Sequence, residues 1–261
     1  MGRIIAITNQ KGGVGKTTTS VNLAASLAAV KRKVLLVDMD PQGNATMGSG
    51  IDKHELEYSI YEVLLNQADI EQVILASEKA RIDVLPANSD LTAAEVELLN
   101  EEGRESRLRN ALNRVVERYD YIIIDCPPSL NMLTLNAMAA ANTVMIPMQC
   151  EYFALEGLVA LLATIDQIKA SVNPDLEIEG LLRTMFDPRS RLSAEVVAQL
   201  RDHFGDKVYR TAIPRNVRLA EAPSYGLPVL QYDKDSRGAK AYLALAGEIV
   251  RRDQARLAQA S

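Results

Sequence analysis

Gln10-Lys11-Gly12-Gly13-Val14-Gly15-Lys16-Thr17-Thr18 is the stretch on which the fold turns. An ordinary phosphate-binding loop reads G-x-x-x-x-G-K-[ST]. Here Gln10 occupies the first glycine position, so the plain pattern is not met. What remains is Gly15-Lys16-Thr17 with an extra lysine, Lys11, five residues ahead of Lys16. Upstream, Arg3 to Thr8 (RIIAIT) is short, apolar and rich in β-branched residues, as a buried strand is. Downstream, Thr17 to Val30 places Val21, Leu23, Ala24, Leu27 and Ala28 at helical spacing. The glycines between let backbone N–H groups turn inward as a nest for phosphate oxygens. The helix start adds the positive end of its dipole. In that frame Lys16 reaches the β- and γ-phosphates and Thr17 offers its hydroxyl to Mg²⁺. Strand, loop, Lys-Thr and helix in this order argue against a bare glycine-rich turn. Lys11 keeps two readings: a solvated surface lysine, or one on an exposed lip. In the second it reaches a nucleotide held by another subunit and balances charge as an arginine finger does.

The rest of the chain continues the same pattern. Lys33 to Val37 reads as a strand ending at Asp38, and further strands are predicted over Arg81–Leu85, Tyr119–Asp125, Thr143–Met148 and Glu177–Arg183. Helices are predicted over Tyr58–Asn66, Leu91–Asn100, Arg107–Arg118, Leu130–Ala140, Leu155–Ala170, Leu192–Phe204 and Asp235–Arg252. Apolar strands separated by helices imply an α/β fold, a doubly wound and mostly parallel sheet covered on both faces. Ligands of such sheets sit beyond the carboxyl ends of the strands. The glycine loop, Asp38, Asp40 and Asp125 all fall at such ends. Asp125 closes an apolar run, either as a Mg²⁺-holding carboxylate or as a cap on the next turn. Asp40 precedes Pro41, so a turn role stands beside a chemical one. His54 and His203 fit no triad or metal cluster.

Composition sets outer bounds. The 261 residues contain no Pro/Gly/Ser-rich linker, low-complexity run or internal repeat, so one domain spanning 1–261 is expected, its last residues 253–261 read as a tail. No leader pattern precedes the first strand, and no apolar run approaches the ~20 residues that span a bilayer. A cytoplasmic protein without membrane partner is expected. Cys126 and Cys150 lie in or just after core strands without metal spacing and are read as buried thiols. Net charge is −5, unevenly spread: residues 1–180 hold 15 Lys+Arg against 25 Asp+Glu, and 181–261 hold 14 against 9. That asymmetry permits a local phosphate-binding face but does not by itself establish one.

Lys11-Gly12-Gly13-Val14-Gly15-Lys16-Thr17-Thr18 resembles the deviant Walker A motif of the ParA/MinD superfamily of P-loop NTPases. Thr8-Asn9-Gln10, Asp38-Met39-Asp40-Pro41-Gln42-Gly43-Asn44, Ile124-Asp125-Cys126-Pro127-Pro128-Ser129, Ile213-Pro214-Arg215-Asn216-Val217 and Ala220-Glu221-Ala222-Pro223-Ser224-Tyr225-Gly226 resemble its ParA/Soj chromosome- and plasmid-partitioning branch. The resemblance implies an ATPase using ATP and Mg²⁺. Residues 11–18 would cradle phosphate, with Lys11 and Lys16 catalytic. Asp40 would stand beside the attacking water, with Asp38 nearer the metal alongside Thr17 and Asp125. Pro214 and Asn216 would lie against adenine, where the side-chain amide of Asn216 offers both donor and acceptor. A turn before a short helix is the plainer reading of that pair. The resemblance further implies an ATP-dependent homodimer that binds double-stranded DNA non-specifically and associates with the nucleoid. Arg189 and Arg218 would touch phosphates, with Arg191, Lys207, Arg237 and Lys240 as weaker neighbours, and a ParB-type partner would stimulate hydrolysis. With the first strand at Arg3, no operator-binding domain is expected ahead of it. The end, Arg251 to Ser261, has only Leu257 as a bulky apolar residue, which fits poorly with the membrane helix of MinD-like relatives. A MinD-like regulator and a protein-cargo positioning ATPase remain the alternatives.

Overall fold

Eight strands form one sheet: β1 (Arg3–Ile7), β2 (Val34–Asp38), β3 (Leu75–Ser77), β4 (Ile82–Leu85), β5 (Tyr121–Asp125), β6 (Thr143–Met148), β7 (Glu177–Phe186) and β8 (Val208–Pro214). This computed structural model describes residues 2–152 and 154–260. The strand order is β3-β4-β2-β5-β1-β6-β7-β8, parallel throughout except for the β3–β4 pair.

Side chains alternate across the strands and build a core on each face. Ile4, Ala6, Leu35, Val37, Ile122 and Ile124 face one core; Ile5, Ile7, Val34, Leu36, Tyr121 and Ile123 face the other. Helices Met132–Ala140, Ala154–Ser171 and Arg191–Phe204 cover the first face. The glycine-loop helix Lys16–Ala29 and the C-terminal helix Arg237–Ala260 cover the second. Because both faces are buried, the central strands read as unbroken apolar runs. β1 lies between β5 and β6, and its end is level with those of its neighbours on one side: Ile7 pairs with Asp125, and Asp125 with Asp38. The glycine loop therefore leaves the sheet at its centre, flanked by both carboxylates.

Some elements differ from expectation. The predicted helix Tyr58–Asn66 shortens to Ile60–Leu64, started by a capping box between Ser59 and Glu62. Leu91–Asn100 and Arg107–Arg118 each tighten into 3₁₀ turns at their ends, Leu98–Asn100 and Val116–Arg118. β3 and β8 are strands that the apolar pattern does not announce. β8 contains Arg210 and Thr211, and it survives as an edge strand because charged side chains serve its backbone. Glu248, on the C-terminal helix, accepts from the N–H groups of Arg210 and Thr211, both at 2.9 Å. The buried Arg183 guanidinium donates to the carbonyls of Tyr209 (3.0 Å) and Arg210 (2.8 Å).

The C-terminal helix also continues past Arg252, where its apolar pattern fades, because buried charge holds it. Asp253 accepts from the Tyr121 hydroxyl at 2.6 Å and pairs with Arg3. Arg3 also pairs with Glu179, a buried carboxylate on β7 that accepts from the Tyr209 hydroxyl at 3.0 Å and faces Arg256 at 3.5 Å. Removing the Glu248 carboxylate strands two partly buried N–H donors. Glu248→Ala is expected to cost about 2–3 kcal/mol in urea unfolding, with Glu248→Gln recovering part of the loss.

Candidate nucleotide site

Two residues of the loop require glycine for conformational reasons: Gly13 and Gly15 have φ of 74° and 88°, in the left-handed region. Their turn lines a cavity of about 300 Å³ together with Gly12, Lys16, Thr17, Thr18, Asp40, Pro128 and Met185. A second cavity of about 200 Å³ adjoins it, lined by Ile213, Pro214, Arg215, Asn216, Thr184 and Tyr242 among others. The structure thus brings the glycine loop, Asp40, Pro214 and Asn216 to one crevice. Hollows of about 720 and 890 Å³ lie at the amino ends of the strands, around Arg32, Lys33 and Tyr119. They are larger, but their charges are mixed and already paired with one another, as Arg3 and Tyr121 are with Asp253.

Lys16 is buried at the floor of the first cavity, its Nζ 3.3 Å from the Lys11 carbonyl. Burial pulls its pKa below the usual lysine range, against the nearby charge of Asp125 foremost. Such a lysine gains most from an arriving anion. One turn along the helix, the Ser20 hydroxyl donates to Asp125 Oδ1 at 2.8 Å. Asp125 Oδ2 is buried without a hydrogen-bond partner. Burial first, and then the neighbouring Asp38 charge, push the Asp125 carboxyl up to about 8.

Asp38 is differently engaged. Its Oδ2 accepts from the Thr46 N–H and hydroxyl, both at 2.8 Å, and its Oδ1 accepts from the Asp40 N–H at 3.2 Å. Burial still raises its carboxyl, to about 6 against those hydrogen bonds. Asp38 therefore shapes the loop that carries Asp40, and Asp125 presents the unsatisfied oxygen. Asp40 itself is only half-buried; its Oδ1 accepts from the Gln42 N–H at 2.9 Å, and the side chain borders the cavity. An orphan carboxylate oxygen beside the Thr17 hydroxyl suits a hard divalent cation such as Mg²⁺. Among the described residues no group of three or more His, Cys, Asp or Glu is arranged to hold a metal. A Mg²⁺ ion held there would take the rest of its shell from phosphate and water, which is how Mg²⁺ is usually held.

The remaining sequence candidates are close by but already partnered. Lys11 is exposed on the lip and pairs with Glu151, 2.6 Å away. Asn216 caps the helix Val217–Glu221 by accepting from the Arg218 N–H at 3.1 Å, which leaves its NH₂ group as the available donor. Cys126 and Cys150 are free and buried. No helix among the described residues is long and apolar enough to cross a membrane.

A family model described as "AAA domain" matches residues 2–178. The chromosome partitioning protein ParA of Myxococcus xanthus is 56% identical over 97% of this chain and 89% of its own. The sporulation initiation inhibitor protein Soj of Bacillus subtilis is 56% identical over 95% and 98%. The chain belongs to the ParA/Soj family of partitioning ATPases. Among solved structures, one called cobyrinic acid a,c-diamide synthase from Mycobacterium smegmatis, with bound ADP and magnesium, superposes with a TM-score of 0.86 at 38% identity, covering 97% of this chain and 96% of that one.

The two ParA/Soj arginines expected at DNA are both held by carboxylates. Arg189 forks onto Asp187 with Nε at 3.0 Å and an Nη at 2.8 Å, and this holds the Asp187 carboxyl down at about 2. Arg218 pairs with Glu221 at 2.8 Å and Asp233 at 3.3 Å. Arg237 lies near enough to Asp187 to add to its depression. Arg191 pairs with Glu195 at 3.5 Å and Lys240 with Asp235 at 3.9 Å, all exposed.

Sequence reasoning missed a second tier around the site. The Thr184 hydroxyl donates to the Val14 carbonyl at 2.7 Å. Gln149 Nε2 donates to the Gly13 carbonyl at 3.3 Å. Thr19 and Tyr242 share a hydroxyl hydrogen bond of 3.1 Å that ties the glycine-loop helix to the C-terminal helix. Ser20, one helical turn from Lys16, was the one such residue that spacing could have revealed.

Relieving one member of the buried carboxylate pair should stabilise the metal-free protein. Asp125→Asn is expected to gain about 1–2 kcal/mol in chemical unfolding without ligand, and to lose most of the rise in melting temperature that magnesium and ATP confer on the parent.

Proposed function

We propose that this chain is a nucleotide-switched DNA-partitioning ATPase. The observation that carries this reading is a phosphate-sized cradle with one buried lysine, Lys16, at its floor and a second, Lys11, exposed on its rim. The full-length similarity to ParA and Soj proteins, and the ADP and magnesium in the Mycobacterium smegmatis structure, support the ligand. ATP would lie with its phosphates against residues 11–18 and its base in the adjoining cavity, toward Pro214 and the Asn216 amide. Asp125 and Thr17 would hold Mg²⁺, which when bound neutralises charge on the β- and γ-phosphates.

The placement supports the hydrolytic roles that the family resemblance implies. Asp40, half-buried and bordering the phosphates, would orient the water that attacks the γ-phosphoryl group in line with the leaving oxygen. Asp38 would keep the Asp40 loop in register through Thr46. Lys16 would neutralise charge from the floor. Lys11 would act in a partner's site: two copies close over their nucleotides, and each Lys11 leaves Glu151 for the phosphates opposite. An exposed ion pair is a weak restraint, so the exchange costs little. The requirement for two copies would make DNA binding a readout of nucleotide state. Arg189 and Arg218 would then trade their carboxylate partners for DNA phosphates, a contact without sequence information and steeply dependent on salt. Hydrolysis, stimulated by a ParB-type partner on the nucleoid, would reset the cycle.

DNA retention by the purified protein, compared without nucleotide, with ADP and with ATP at two salt concentrations, tests this reading. Binding is expected with ATP alone and is expected to fall as salt rises. Asp40→Ala should stay on DNA longer in ATP. The double change Arg189→Glu and Arg218→Glu should lower DNA affinity by at least about tenfold without loss of ATP-dependent dimerisation. Binding indifferent to nucleotide would overturn the switch and favour a membrane or protein cargo.

A further inference from the structure

Three residues line both cavities of the crevice: Gly15, Thr18 and Met185. Any molecule that places phosphates in one cavity and a base in the other must pass them. Gly15 and Thr18 belong to the phosphate loop. Met185 comes from the far end of β7, and its backbone is unusual, with a φ of 48° at a non-glycine residue inside a strand. The other non-glycine residues with positive φ, Lys31, Asn66 and Arg81, lie at turns or at the edges of elements. A left-handed methionine within a strand is strained, and such strain persists where the surroundings fix it and clusters at functional sites.

The surroundings of Met185 do fix it. On one side, the Thr184 hydroxyl is bonded to the Val14 carbonyl of the phosphate loop. On the other, Phe186 is in register with Pro214 of β8, and the Arg183 guanidinium lies 5.1 Å from its ring centre. The β7–β8 register slips between Arg183 and Phe186, which is where the left-handed residue is needed. Gln149 Nε2 donates both to the Met185 sulfur and to the Gly13 carbonyl, so the thioether is tied to the loop as well.

From this geometry we infer that Met185 is a nucleotide-positioning residue whose half-buried thioether packs against the sugar of a bound nucleoside triphosphate, at the neck between the phosphate and base cavities. The inference rests on the reading of the crevice as an ATP site and adds a sugar contact to it. A methionine suits the place because its flexible, polarisable chain fills an irregular gap beside an apolar ring face. The contact distinguishes a nucleotide from a bare polyphosphate, since only the former has a sugar at the neck.

Titration calorimetry with magnesium–ATP and with magnesium–tripolyphosphate, on the parent chain and on Met185→Gly, Met185→Ala and Met185→Leu, tests the assignment. Met185→Gly and Met185→Ala are each expected to weaken ATP by about tenfold while tripolyphosphate changes by less than about twofold. Met185→Leu should restore ATP to near the parent value. Met185→Gly should melt above Met185→Ala, because glycine alone accepts the left-handed backbone without strain. ATP affinity untouched in both small variants, or ATP and tripolyphosphate weakened together, overturns the assignment. Lys16→Ala separates the two layers. It should lose both ligands, and if it keeps both at full affinity the ATP-site reading fails, whatever Met185 does.

Discussion

Two carboxylates buried side by side at the ends of paired strands constrain everything around them. Asp38 and Asp125 are register partners on β2 and β5, and both are fully buried. Water cannot screen them there, and the charge of Asp38 opposes ionisation of Asp125. The fold meets the problem unequally. Asp38 is supplied with three protein donors, so its charge is spent on organising the loop that carries Asp40. Asp125 receives the Ser20 hydroxyl and keeps one oxygen bare. The buried Lys16 is the nearby cation, and it too is partly desolvated. The crevice therefore gathers two buried carboxyl groups and a buried lysine that a magnesium–phosphate complex would complete.

Legibility from the sequence follows the same physics. The core of the sheet was readable because each central strand is an apolar run with no polar interruption, and the loop was readable because only Gly13 and Gly15 can take its turns. Asp38, Asp40 and Asp125 were placed correctly at the carboxyl ends because strand ends are where apolar runs stop. β8 was hidden because its stability comes from Glu248 and Arg183, residues more than 20 positions away from the groups they serve. Thr184, Met185 and Gln149 were hidden for the same reason. Thr184 and Met185 reach the phosphate loop from the end of β7 and Gln149 from just past the end of β6, and no local pattern records the approach. The turn reading of Asn216 is met, since its side-chain oxygen caps the helix that follows.

The charge asymmetry of the sequence also changes meaning once it is folded. The net excess of Lys and Arg beyond residue 180 permits a local phosphate-binding face, and in the fold Arg189, Arg191 and Arg218 each stand beside a carboxylate. These exposed pairs are weak in water. They place a carboxylate beside each guanidinium without holding it firmly, so in the proposed cycle DNA phosphates would displace those carboxylates.

The arrangement at β8 has one more consequence. Open parallel sheets expose unpaired backbone at their borders, and that backbone is a template onto which another chain can stack. At Arg210 and Thr211 the template is blanked, since Glu248 has taken the donors and Arg183 the neighbouring acceptors. At the opposite border β3 runs for only three residues. Extension of the sheet by a neighbouring chain is therefore disfavoured at Arg210–Thr211 on one border and by the shortness of β3 on the other.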